Sequence, residues 1–171
     1  MKKPRHVYLI DGSGFIFRAY HALPPLTTSG GVPTGAVAGF VQMVARLLDE
    51  TEASHVAVIL DAGRHTFRNE IYPAYKAHRP PAPEDLIPQF PLVREAVRAM
   101  NVACIEQDGF EADDLIATYA RLGVEAGFEV TVVSSDKDLM QLVGPGVSLW
   151  DPLKNKPIGA AEVMEKFGVA P

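Results

Sequence analysis

Cysteine is nearly absent: Cys104 is the single one in 171 residues. One cysteine excludes a disulfide framework or a cysteine zinc cluster and points to a reducing compartment. Within Val-Ala-Cys-Ile it reads as a buried, inert thiol. Long apolar runs are missing too; none approaches the ~20 residues of a membrane span. The short segment after Lys2, Lys3 and Arg5 carries an aspartate, which argues against a secretory signal. A cytoplasmic location and no membrane partner are expected. Positive charge is also scarce: 16 Lys and Arg against 21 Asp and Glu leave a formal charge of −5. The surface as a whole is therefore not a basic binder of polyanions, and any hold on phosphate must come from a local patch or from bound cations. The five histidines, His6, His21, His55, His65 and His78, show no ligand spacing, so zinc is not expected. Repeats and low-complexity tracts are lacking as well. What the chain has is 47% hydrophobic residues, enough at this length to close one core.

Four short aliphatic runs stand out: Val7 to Ile10, Val56 to Leu60, Val102 to Ile105 and Val130 to Ser134. They are near-continuous rather than alternating, as strands covered on both faces should be. Helical spacing lies between them, over Gly35 to Thr51, Val93 to Met100, and a stripe through Ala112, Leu115, Ile116, Tyr119 and Ala120. The alternation predicts an α/β fold with a mainly parallel central sheet flanked by helices. Val147 to Trp150 is a fifth strand, and a last helix is expected near Ala160 to Phe167. Two segments resist this scheme. Leu23 to Pro33 is a Pro/Gly/Thr loop, and residues 62–83 have little periodicity and several prolines. A connection that long is usually functional or mobile, and weak order is expected there in a crystal without ligand.

Ligands of an open parallel sheet sit at the carboxyl ends of its strands. Three strand runs reach an aspartate there: Asp11, Asp61 and Asp136. After the remaining strand come Asp108, Glu111, Asp113 and Asp114. Acids are 21 of 171 residues, so three named sites all acidic arise by chance on the order of a few times in a thousand. Helix capping explains any one of them but leaves the crowd of charge unneutralised. Magnesium or manganese, hard ions that need only oxygen ligands, would neutralise it. Helix geometry puts Glu111 and Asp113 on either side of the apolar stripe, with Asp114 pointing away from the core; the helix dipole explains Asp114 equally well. Asp136 is expected to cap a helix that starts at Asp138, with both carboxylates at the mouth of the site.

Residues 62–83 reverse the sign of the chain: Arg64, Arg68, Lys76 and Arg79 stand among Phe67, Tyr72 and Tyr75, opposed by Glu70. Cations hold phosphates and aromatic faces stack on bases. The alternative is a solvated loop anchored to the core by Phe67 and Tyr75. A haloacid-dehalogenase-type phosphatase, suggested by Asp11 after the first strand, would need an aspartate where Ser13 stands.

Five blocks, VYLIDGSG (7–14), ILDAG (59–63) with Thr66-Phe67-Arg68, YKAHRPP (75–81), GFEADDL (109–115) and SDKDLMQL (135–142), occur in order. Together they resemble the 5′-nuclease domain of bacterial DNA polymerase I, related to flap endonucleases and built on a PIN-like core. The resemblance implies divalent-ion-dependent, structure-specific cleavage of DNA at 5′ flaps and 5′ ends by two-metal hydrolysis, in replication and repair at the nucleoid. It implies Asp11, Asp61, Glu111 and Asp113 at a first Mg²⁺ or Mn²⁺ and Asp136 and Asp138 at a second, with Asp114 behind them. Lys76 and Arg79 match basic residues of an arch that admits the 5′ end, where they would act on the phosphate with Asp11 and Asp61. Arg18, Arg64, Arg68 and Tyr75 are expected to contact DNA. The family continues into a Gly-Asp-x-x-Asp-Asn segment and a helix-hairpin module that grips duplex, neither of which is in this sequence. The chain is therefore expected to be the amino-terminal nuclease core of a longer polymerase, acting as a monomer beside polymerase domains. An inactive, purely DNA-binding fragment is the alternative.

Overall fold

In the computed structural model, which describes residues 5–171, the first aliphatic run forms strand β1 (His6–Asp11) at the middle of the sheet. The chain turns directly into α1 (Gly12–Ala22), and Gly12 permits this: a Cβ there would stand 2.5 Å from the Leu60 side chain. After the Pro/Gly loop come α2 (Gly35–Glu50) and β2 (His55–Ile59). Then follow a short α3 (Phe67–Ile71), α4 (Gln89–Ala99) and β3 (Ala103–Ile105). Next are α5 (Ala112–Glu125), β4 (Glu129–Val133) and a 3₁₀ turn, Asp138–Leu142. The chain closes with β5 (Val147–Asp151), β6 (Lys156–Ile158) and α6 (Ala160–Phe167).

The sheet order is β3-β2-β1-β4-β5-β6, parallel throughout except for the final antiparallel β5–β6 pair. The chain builds outward from β1 to one side, then returns to build the other, so the strand order switches between β1 and β4. Crevices at such a point, beyond the carboxyl ends of the strands, are where ligands bind. Alternate strand residues face two layers. Ile10, Val58 and Leu60 pack with Phe15, Phe40, Val44, Val93 and Val97 from α1, α2 and α4. Leu9, Ile59, Val130 and Val132 pack with Leu115, Ile116, Leu139 and Val163 on the other face. The helices on both faces are why the strands read as continuous apolar runs.

Several sequence expectations change. Tyr119 is not part of the buried stripe of α5, which runs through Ala112, Leu115, Ile116 and Ala120; its ring is 39% exposed. Helix α4 starts at Gln89, well before Val93, and the buried Gln89 side chain accepts the N–H groups of Ala36 and Val37, capping α2 from a distance. Helices α1 and α3 and strand β6 are not among the expected elements, and the helix expected from Asp138 is a five-residue 3₁₀ turn. The segment 62–83 is more regular than its prolines suggest. Thr66 N–H donates to the Asn69 side chain to start α3, and Phe67 N–H donates to the Gly109 carbonyl. Turns follow through Arg79.

Candidate functional site

Asp11 ends β1 and caps α1: its Oδ1 accepts the Gly14 N–H at 3.0 Å, and its Oδ2 accepts the Ser134 hydroxyl at 2.7 Å. Burial raises its carboxyl above the ordinary range; these two hydrogen bonds oppose the rise, and the charges of Asp61 and Asp136 add to it. Asp61 lies two residues past β2. Its Oδ1 accepts the Ala112 N–H at the start of α5 at 2.8 Å, and its Oδ2 accepts the Ser13 hydroxyl at 2.6 Å. Asp113, in the first turn of α5, faces the same space. Burial, then the charges of Asp11, Asp136, Asp61 and Glu111, push its carboxyl up to about 6. Acids from three strand ends and one helix start therefore lie within reach of one another's charge. Asp136 is exposed and accepts the Asp138 N–H at 2.8 Å, capping the 3₁₀ turn; Asp138 is exposed as well.

Glu111 immediately precedes α5. Its two oxygens accept Lys76 Nζ at 2.8 and 2.9 Å, and one lies 3.4 Å from the Tyr75 hydroxyl that donates to it. Burial alone would lower the Lys76 ammonium, but the hydrogen bonds to Glu111 and Tyr75 and the Glu111 charge leave it above its usual value. Asp114 takes a bidentate pair from Arg68 at 2.6 and 2.7 Å and accepts the Glu111 N–H at 3.0 Å. The Arg68 hydrogen bonds hold the Asp114 carboxyl below the usual carboxylate range, against its partial burial. Asp114 thus turns toward Arg68 of the basic segment and not toward the other acids. Phe67 stacks near Phe110 at 5.7 Å and Arg68 lies over Phe67 at 4.6 Å. Phe67 and Tyr75 thus reach Phe110 and Glu111 at the start of α5, whereas Tyr72 is 63% exposed.

A divalent hard cation fits this donor set. The donors are carboxylate oxygens, and the mutual repulsion at Asp11 and Asp113 is what bound positive charge relieves. Among the described residues no three His, Cys, Asp or Glu side chains close into a ready-made cage. Glu111 is turned to Lys76 and Asp61 to an amide and a hydroxyl, which spreads the acids around a rim. Mg²⁺-like ions keep several waters and bind through one or two carboxylates, so an open rim suits them.

The remaining basic residues lie apart from the carboxylates. Arg79 is exposed, its carbonyl accepting Arg64 Nη2 at 2.8 Å. Arg18 sits on the α1–α2 side, in a cavity of about 270 Å³ with Phe15, Met43, Trp150 and Leu153. Three site residues escape sequence reading. Ser13 and Ser134 hold Asp61 and Asp11. Arg94 reaches from α4 to Glu106 at 2.6 Å and to the Asp61 carbonyl at 3.2 Å. Only the position of the serines, beside strand-end aspartates, hints at them.

DNA polymerase I of Rhizobium leguminosarum is 56% identical over 179 residues, spanning all of this chain and 18% of that protein. A 5′-3′ exonuclease of Aquifex aeolicus is 40% identical over 165 residues, spanning 96% of this chain and 57% of that one. The chain thus spans about a fifth of the first relative and over half of the second. Crystal structures of a bacteriophage T5 protein share the fold. In one, co-crystallized with metal ions, the TM-score is 0.75 at 22% identity, over 96% of this chain and 62% of that one. In the other, a flap endonuclease complex with DNA and metal ions, it is 0.71 at 21% identity, over 96% and 61%. A family model for the 5′-3′ exonuclease N-terminal, resolvase-like domain matches residues 6–168, and the chain belongs to that family.

Proposed function

We propose that this domain hydrolyses phosphodiester bonds of DNA at 5′ flaps and 5′ ends, using Mg²⁺ or Mn²⁺ held at the strand-end carboxylates. The observation that carries this reading is the meeting of Asp11, Asp61, Asp113, Asp136 and Glu111, distant in sequence, within reach of one another's charge. Asp11, Asp61, Glu111 and Asp113 are assigned to a first ion, and Asp136 and Asp138 to a second. Ions bound there would supply a water of lowered pKa as nucleophile and neutralise charge on the leaving 3′-oxygen. The chain's own groups bind and orient. Lys76 and Arg79 are assigned to the phosphate being cut, and Arg64, Arg68, Tyr75 and Arg18 to neighbouring parts of the strand. The metal and DNA in the phage flap endonuclease complex support the assignment, as does the family. By the same reasoning the domain acts within a longer polymerase chain in replication and repair, in the cytoplasm at the nucleoid. Among the described residues no helix is long and apolar enough to cross a membrane.

The test is cleavage of a labelled 5′-flap duplex in Mg²⁺ by the polymerase carrying this domain. Asp61→Asn and Lys76→Ala should each slow cleavage by about 10²-fold or more, the usual cost of losing one preorganised charge or donor. Cleavage by both variants at the parent rate would overturn the assignment.

A further inference from the structure

We propose that Ser134 is a positioning residue that ties Asp11 to the Asp136 turn and sets the Asp11 carboxylate for a divalent ion. The residue is 2% exposed, at the end of β4, where a polar side chain has little reason to be buried unless it is used. Its hydroxyl has one proton and lone pairs to accept with. The Asp136 N–H donates to Ser134 Oγ at 3.0 Å, and Oγ donates to Asp11 Oδ2 at 2.7 Å. The amide takes up a lone pair, so the proton is directed at Asp11. With Gly14 N–H on Oδ1, both oxygens of Asp11 are held, and each keeps a lone pair free for a cation.

The link joins residues 123 positions apart in sequence, across the point where the strand order switches. It also couples the two groups of acids: moving the Asp136 turn moves the hydroxyl that orients Asp11. Partners that orient a metal ligand from behind typically control metal affinity by 10–100-fold.

This inference rests on the proposed divalent-ion site, and one experiment separates the two. Mn²⁺ binding to the chain is titrated by electron paramagnetic resonance, which counts free ion without any substrate, for the parent, Asp11→Asn, Ser134→Ala and Ser134→Thr. The expected result is Mn²⁺ binding by the parent, lost in Asp11→Asn, weakened about tenfold in Ser134→Ala and kept within about threefold in Ser134→Thr. Parental affinity in Ser134→Ala overturns the inference while leaving the ion site standing, and so does a threonine variant as weak as alanine. No Mn²⁺ bound by the parent, or binding unchanged in Asp11→Asn, overturns the ion site and this inference with it. Metal-free melting curves report whether each variant folds. If the alanine chain does not, Ser134→Cys, which keeps the bulk but is a poor donor, takes its place with the same expected weakening.

Discussion

Lys76 Nζ sits between both carboxylate oxygens of Glu111, at 2.8 and 2.9 Å, and so closes the basic segment onto the acidic rim. Lys76 adopts a left-handed backbone conformation, φ 53°, at a cost of roughly 1 kcal/mol or more for a non-glycine residue. Glu111 is assigned to an ion and Lys76 to phosphate, so the ion pair competes with both duties and must part before either is carried out.

Removing that competitor should expose Glu111 to cations. Lys76→Ala is expected to bind Mn²⁺ about three- to tenfold more tightly than the parent, the equivalent of roughly 1 kcal/mol for a partly exposed pair. The same variant should cut a flap substrate far more slowly. Calorimetric titration with Mn²⁺ reads the first effect; unchanged or weaker affinity would show that Lys76 does not compete at Glu111.

Asp113 predicts a pH dependence of opposite sign to that of a paired acid. Its carboxyl is raised to about 6, chiefly by burial and then by the neighbouring acids. A raised carboxyl favours folding below the ordinary value of 3.8, and this contribution is lost as pH rises through about 6. In EDTA at pH 7.5, Asp113→Asn should therefore be more stable than the parent, by roughly 1–2 kcal/mol once solvent screening is allowed for. The gap should close below about pH 4, and Mg²⁺ should raise the parent's melting temperature more than the variant's. Calorimetric melts across pH check both.

Arg68 and Asp114 give the complementary case. Asp114 is held below the usual range by its Arg68 hydrogen bonds, so the pair stabilises the fold above the ordinary carboxylate value of 3.8 and loses that effect as pH falls further. Arg68→Lys keeps the charge but not the two-pronged geometry. Hydrogen exchange over residues 67–79 should then speed up about tenfold at neutral pH, with little change elsewhere; unchanged exchange would mean the pair does not pin the segment. Residues 72–83 should exchange fastest in the parent.

The strands were legible because helices cover both faces of the sheet, which leaves uninterrupted aliphatic runs. Helix α1 was hidden because it follows β1 without a turn, opens Gly-Ser-Gly and carries exposed Phe17 beside buried Phe15 and Ile16, which blurs its stripe. Five-residue α3 is too short for any period to show, and β6 has three residues, one of them Pro157. In the site, Asp11, Asp61 and Asp136 could be found because strand ends converge in this topology. Ser13 and Ser134 could not, since a serine after a strand is ordinarily a cap. Neither could Lys76 on Glu111, a pairing across 35 residues that depends on how the basic segment folds back. Arg18 shows the limit of reading charge alone: its helix carries it to a separate cavity beside Trp150.

Anomalous scattering from a crystal of the chain soaked in Mn²⁺ would locate the ions themselves. Manganese bonded to Asp11 or Asp113, with a second ion near Asp136, is the predicted result. Manganese found only away from these side chains, or none at saturating concentration, would contradict the view that folding assembles them to hold metal.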